Sequence, residues 1–503
     1  VEAGTRLAWR DLSGSWQENK LGSAANSRDV VLKTSNRLLM LQRGETGSIA
    51  AFPPPHTFFW AREEETNLGY NFYRKTGDAE FAFGIRQAEK EENPRYRANF
   101  ALYSAPAGSE QHMAAYFYPS LGDAREAAAK VLEFTHGDRF KAIPGYQTMA
   151  HHYHMDLAER LEEAKNLDEH IPDLDVIRST GISIASEISS IFLGRTNRPV
   201  DIPHLVKTSY EGAKRHSDTD FLVMPNLEIY NSPLGGHTDL LFSHPVYWTE
   251  QKPGQAKVEK SAEYGNVYHI GSANDFIEMA RKEDVLISMP HPRTKGSTGY
   301  PDAIKDEAYF ADSHYQGVGF RWGMGLDLSE KRLCGRRCLD LLDDMSNWMA
   351  DKPVPLKYLI AITETRFKAP GDDVYAASPV NYVKLDRVPS LENAGTVVNA
   401  LFRGESFVSS GEVLVPSFTI QGSGASRTAV ADVEWTCPME FVEIVWGDGK
   451  STDRKVVSAT ELAPFGHRRF QIPFTVDNKK WIRFAAWDSA GNGAMTQPVR
   501  IPR

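Results

Sequence analysis

Three histidines fall within four positions at His151-His152-Tyr153-His154, directly after the loop-like Ile143-Pro144-Gly145. If residues 147–154 form a strand, side chains alternate between its faces, so His152 and His154 project one way and His151 the other. Two imidazoles fixed on one face of a strand are placed for a metal ion before it arrives. His151 is expected to be packed or hydrogen-bonded instead. Further metal-capable residues follow short apolar runs: Met224 leads to Glu228 and then His237, and Met289 leads to His291-Pro292-Arg293. Ile362 leads to Glu364-Thr365-Arg366. The expected donor set is therefore His152, His154, Glu228 and His291, with His237 as a fifth ligand or as a residue supporting the ligands from behind, holding a divalent ion such as Zn, Mn or Fe. Arg293, Lys295, Arg321 and Arg366 lie beside these positions, and the planar fork of Arg suits a carboxylate, phosphate or sulfate. An anionic substrate is expected on that ground; the alternative is that the arginines bridge to Asp302, Asp327 and Asp372. His314 and Glu364 are the candidates for moving protons.

These residues need a scaffold that gathers them. Residues 141–404 alternate helical patterns, such as 274–283, with apolar runs at 175–177, 221–224, 285–289 and 358–362. Runs of that kind read as parallel strands covered on both faces. A βα barrel is expected, with its chemistry where the C-terminal strand ends converge. Residues 1–140 are rich in short aromatic segments between turns and are expected to form an N-terminal β-sandwich that buries those aromatics. That unit closes with a linker helix opened by the capping box Asp123-Ala124-Arg125-Glu126. Residues 405–503 return to strand alternation, with a hairpin at Gly447-Asp448-Gly449, and are expected to form a second small sandwich. The class is α/β: a barrel flanked by two β-sandwich domains.

Composition narrows the function. Across 503 residues the formal net charge is -9, which argues against a nucleic-acid binder needing a basic face. No apolar run approaches the length of a membrane-spanning helix, so no membrane partner is expected. Three cysteines cannot make a disulfide framework. Cys334 and Cys338 recur with Leu341, Met345 and Trp348 as the buried stripe of a helix capped by Ser329. Gly317 to Gly325 does not fit a dinucleotide loop and reads as a tight loop at the barrel mouth presenting Arg321 and Trp322. There is no G-x-S-x-G, so a serine hydrolase is not expected. The start at Val1 reads as a processed or trimmed terminus, with a secreted or periplasmic location expected from it.

The order of these signals resembles the PHP (polymerase and histidinol phosphatase) superfamily of metal-dependent hydrolases, and within it the CehA/McbA type. The likeness rests on His152-Tyr153-His154, Leu227-Glu228-Ile229, Gly236-His237 and His291-Pro292. It continues through Asn381-Tyr382-Val383, the segment Leu401 to Val408, and Thr496 to Ile501. The resemblance implies a seven-stranded βα barrel that hydrolyses ester or phosphoester bonds by a metal-bound hydroxide. Two positions depart from the family pattern. Thr180-Gly181-Ile182 stands where Thr-Asp-His is usual after the second strand, and Glu364-Thr365-Arg366 where Asp-x-His is usual. A smaller metal cluster than that of fully equipped relatives is expected: one ion, or two with Glu364 contributing. The leading function is a metal-dependent hydrolase of an anionic or carbohydrate-like small molecule. The alternative is a non-catalytic carbohydrate- or ligand-binding protein with a degraded site. In either case Trp322, Trp248 and Tyr247 would suit sugar stacking.

Overall fold

The structure is a computed structural model that describes residues 4–10, 15–20, 30–32, 38–52, 70–75, 81–86, 116–194, 200–293, 295–320, 334–366, 375, 378–489 and 491–501. Near the N-terminus, five antiparallel strands pair in the order Trp16–Lys20, Arg6–Arg10, Leu39–Gln42, Ser48–Phe52 and Tyr116–Ser120. Helix Ala124–Leu132 starts as its sequence dictates. The Asp123 side chain accepts from the backbone of Arg125 and Glu126, and Glu126 reaches back to the Asp123 N–H. Its buried Ala127, Ala128 and Val131 pack with Met40, Ala50 and Phe52 of the sheet. Not every aromatic is taken into that core: Phe117 is 60% exposed. The Phe58-Phe59-Trp60 segment lies outside the described residues.

Seven strands then close into a barrel. They are β1 (Tyr146–His154), β2 (Ile184–Phe192), β3 (Leu222–Tyr230), β4 (Thr238–Leu241), β5 (Leu286–Met289), β6 (Tyr315–Phe320) and β7 (Tyr358–Arg366). Neighbours run parallel except at β4, which is antiparallel to both β3 and β5, and β7 returns to pair with β1. Helices Leu157–Ala164, Pro172–Ser179, Ile202–His216, Ala273–Glu283 and Cys334–Met349 are interleaved with the strands. Ile202–His216 shows the patterning that places them, burying Leu205, Val206, Ser209, Gly212 and Ala213 at helical spacing.

Two sequence expectations are corrected by this topology. Residues 175–177 are not a strand but the middle of helix Pro172–Ser179, which opens with Pro at its first turn and buries Val176 and Ile177. The strand nearby is β2, whose Ser186, Glu187, Ser189 and Ser190 hide it from a search for apolar runs. The glycine-rich run also begins inside β6 rather than in a mouth loop. A Cβ on Gly319 would stand 1.7 Å from the Pro290 carbonyl oxygen, so the close approach of β6 to the segment after β5 requires glycine there. Residues 321–333, including Ser329, lie outside the described residues. In helix Cys334–Met349, Leu341 and Met345 are buried as the stripe requires.

The barrel is continuous with the C-terminal strands. The lower half of β1 pairs with strand Val380–Lys384, and the upper half with β7. At that fork sits the buried Asn381. Its amide donates to the Met149 and Ala361 carbonyls, and its Oδ1 accepts the Ala361 N–H at 2.7 Å. From Val380–Lys384 the sheet continues across position 404 through Ser406–Ser409, Gly493–Thr496, Trp481–Asp488, Met439–Gly447 and Thr452–Ser458. Facing it is a second sheet of Val413–Gln421, Ser426–Trp435 and Gly466–Thr475, and one apolar cluster joins these strands to the barrel. Asn381→Ala is expected to strip three buried backbone groups of partners, at about 1–3 kcal/mol each before relaxation. Denaturant unfolding should register a loss of at least about 2 kcal/mol; a loss below about 0.5 kcal/mol would show that the fork holds without it. No helix among the described residues is long and apolar enough to cross a membrane.

Candidate metal centre

The site is built on two facing bulges. Between Ala150 and Tyr153, β1 carries one residue more than β2, and His152 takes a left-handed backbone at φ +60. Between Ile362 and Thr365, β7 carries one residue more than β1, and Glu364 is left-handed at φ +50. A bulge breaks the two-residue alternation and re-aims side chains. Left-handed backbone costs an L-residue about 1–2 kcal/mol, and such strain concentrates at functional sites. Thr363 pins the pair by donating its hydroxyl to the His152 carbonyl at 2.7 Å. The expectation that His151 faces away from the site is therefore corrected. His151 Nε2 and His152 Nδ1 both approach Asp239 Oδ2, at 3.4 and 2.8 Å, while His151 Nδ1 contacts Ser186 Oγ at 3.1 Å. The expectation that His151 is hydrogen-bonded stands.

Glu228, near the end of β3, is the centre of the cluster. Its Oε1 is 2.8 Å from His237 Nδ1 and 3.0 Å from His291 Nε2. Its Oε2 accepts the Tyr230 hydroxyl at 2.8 Å and lies 3.7 Å from His154 Nε2 and 3.9 Å from His152 Nε2. Glu364 Oε2 is 3.0 Å from His152 Nε2. Two groups of three can each offer donor atoms within 4.8 Å of one another: His152, His154 and Glu364, and His152, Glu228 and His291. Both meet at His152, and all but the partly exposed Glu364 are buried. Imidazole nitrogen with carboxylate oxygen is the donor chemistry of Zn, Mn and Fe sites. Burial works against the charge on Glu228, but His152 and the hydrogen bonds from His237 and His291 outweigh it and hold the carboxyl well below its usual range. Burial likewise opposes a charged His152, yet Asp239 and Glu228 outweigh it and raise the imidazole well above its ordinary value. Each group is thus tuned by the other's charge, the situation a divalent cation would take over by displacing the shared protons.

The predicted donors are brought together as expected: the rings of His152 and His291 lie 6.0 Å apart and those of His152 and His154 4.8 Å apart. His237 joins them through Glu228, its Nδ1 facing Oε1 at 2.8 Å and its Nε2 packed against Gly296, where an added Cβ would stand only 2.0 Å away. Arg293 is an ion-pair residue, forked onto Asp302 at 2.6 and 2.7 Å and bonded to Asp344 at 2.7 Å, so the bridging alternative describes it. His314 is corrected more sharply. It precedes β6, at the end of the barrel opposite the cluster, where it bonds Asp312 and packs on Phe402. It cannot move protons in a site a strand length away. Thr180-Gly181-Ile182 lies before β2 rather than after it, at the same far end; the β2 residue level with Glu228 is Ser190. Trp248 is fully buried against Phe276 and offers no face to a sugar, and half-buried Tyr247 packs on Tyr264. Arg321 and Trp322 lie outside the described residues, as do the side chains of Lys295 and Arg366; the backbone of Arg366 pairs with His154 at the mouth. Tyr230 and Asp239 were missed. Tyr230 follows Glu228 at the same-face spacing of two, which could have flagged it. Asp239 sits two residues beyond His237 on a strand too short to announce itself.

No family model matches the chain, and no curated protein matches it. Among solved structures it is similar to a beta-arabinopyranosidase, with a TM-score of 0.21 and 9% identity over 99% of this chain and 78% of that one. Two structures of a beta-glucosidase from Kluyveromyces marxianus, one in complex with glucose, give TM-scores of 0.13 and 0.14. Each is 9% identical, over 99% of this chain and 50% of that one. Likeness at this level carries no argument about function.

Proposed function

We propose that the chain is a metal-dependent hydrolase of the PHP type, cleaving an ester or phosphoester bond in an anionic or carbohydrate-like small molecule. The observation that carries this reading is the convergence of two His/carboxylate donor groups on His152 at the end of a closed barrel. A divalent ion held there by His152, His154, Glu228 and His291, with Glu364 contributing, would polarise the scissile group and lower the pKa of water to about 7. The chain's own residues do the remaining work. His237 and Tyr230 fix both oxygens of Glu228, and Glu364 is the one partly exposed carboxylate of the donor groups, placed to exchange protons with entering water. Arg366, whose backbone stands level with His154, is the candidate contact for an anionic group. Arg293 is left out because its charge is already matched.

Elemental analysis of protein purified without chelator or added metal is expected to give at least one Zn, Mn or Fe per chain. The same preparation should cleave members of a panel of aryl esters, phosphoesters and sulfated or uronate sugars, with activity lost on chelation and restored by metal. A metal-free, folded and inactive preparation that adds no metal on supplementation would rule out the hydrolase and leave the binding protein.

A further inference from the structure

We infer that Asp239 is a positioning residue: its carboxylate holds His152 with the proton on Nδ1, so that Nε2 presents its lone pair to the metal. The inference rests on the metal-centre reading and adds a residue to it. His152 has two ring nitrogens with different neighbours. Nε2 faces Glu364 at 3.0 Å and Glu228 at 3.9 Å, the carboxylates of the two candidate donor groups to which His152 belongs. Nδ1 faces Asp239 Oδ2 at 2.8 Å, and both side chains are fully buried. A neutral imidazole whose Nδ1–H donates to a carboxylate offers Nε2 as the free base, and the charge behind the ring makes that nitrogen a better donor.

The surroundings fit the role. Asp239 lies on β4, whose antiparallel insertion places it opposite Glu228 on β3, so one strand pair supplies both the carboxylate in front of His152 and the one behind it. His151 supports the same Asp239 oxygen from the side at 3.4 Å. His151 is braced in turn by Ser186. The bulge at residues 151–152 thus brings two successive histidines to one carboxylate, which regular alternation forbids.

The test uses Asp239→Asn with the full chain, cobalt(II) as probe, and nitrogen-15 NMR of the histidines after metal is stripped. At a pH high enough to leave the ring neutral, wild type is expected to show His152 protonated at Nδ1 alone, the signal being assigned by its loss in His152→Gln. Asp239→Asn should bind as many cobalt ions at saturation as wild type, with affinity lower by about 10- to 100-fold, and should shift the His152 tautomer towards Nε2–H. An affinity within twofold of wild type would overturn the inference. So would one ion fewer at saturation with the remaining affinity intact, since Asp239 would then be a ligand. If wild type binds no cobalt, the metal-centre reading fails and the tautomer decides alone: Nδ1–H in wild type supports the positioning role, and Nε2–H overturns it. That measurement also stands if Asp239→Asn does not fold.

Discussion

Replacing Glu228 with Gln is expected to abolish metal retention while leaving the chain folded. Four imidazoles and a phenol approach this one carboxylate: His237 and His291 at Oε1, and Tyr230, His154 and His152 at Oε2. Gln keeps the shape and one acceptor oxygen but removes the charge and turns one end into a donor aimed at imidazole nitrogens. The cation then loses an anionic ligand and the hydrogen bonds that orient it. Since losing an outer partner alone costs about 10- to 100-fold in affinity, losing the carboxylate charge should cost at least about 1000-fold. Turnover should fall in proportion where the metal supplies the hydrolytic chemistry. Metal analysis after dialysis, alongside a thermal melt, separates this from unfolding. Full metal content in Glu228→Gln would sink the ligand assignment; loss of metal with loss of fold would call for Glu228→Asp, which keeps the charge and should recover part of the affinity.

The residues of this site were more legible in the sequence than their geometry. Glu228 and His291 sit at or just beyond the ends of apolar strands, and their spacing is enough to send them to one barrel mouth once the strands run parallel. The bulges were not legible. Nothing in His151-His152-Tyr153-His154 announces a left-handed residue, and strict alternation sends His151 the wrong way. Nor was the antiparallel β4, because Thr238–Leu241 is only four residues long. Asp239 stayed invisible with it. The opposite error placed His314 in the site: a histidine before a strand and one after it look alike in sequence, yet a strand of this length sets them about 20 Å apart. Arg293 shows a third limit. Its neighbourhood to His291 was readable, but its partner Asp344 lies 51 positions away and is brought to it only by the fold.

The largest stability effect is expected where the barrel meets the C-terminal strands. Arg483, on strand Trp481–Asp488, is fully enclosed and forks onto Asp343 of helix Cys334–Met349 at 2.7 and 2.8 Å. One turn further along that helix, Asn347 accepts the Trp481 indole N–H at 2.9 Å and the Gly449 N–H at 3.1 Å, so residues 343 and 347 present one face to the sheet. Burial opposes both charges of the ion pair: beside Asp343 the Arg483 guanidinium is still held above its ordinary value, whereas burial outweighs Arg483 and raises the Asp343 carboxyl. Asp343→Ala removes the counter-charge and leaves a guanidinium with no route to water, at an expected cost of about 3–5 kcal/mol. Arg483→Met leaves a carboxyl whose pKa burial already raises, and it can protonate; its cost should be smaller for that reason. The double variant Asp343→Leu/Arg483→Met should recover most of the loss, because replacing a buried pair by apolar groups of similar volume is often neutral. Denaturant unfolding of the three variants closes the cycle. Equal losses for both single variants, simply summed in the double, would mean that the two charges do not depend on one another and that apolar packing alone holds the helix to the sheet.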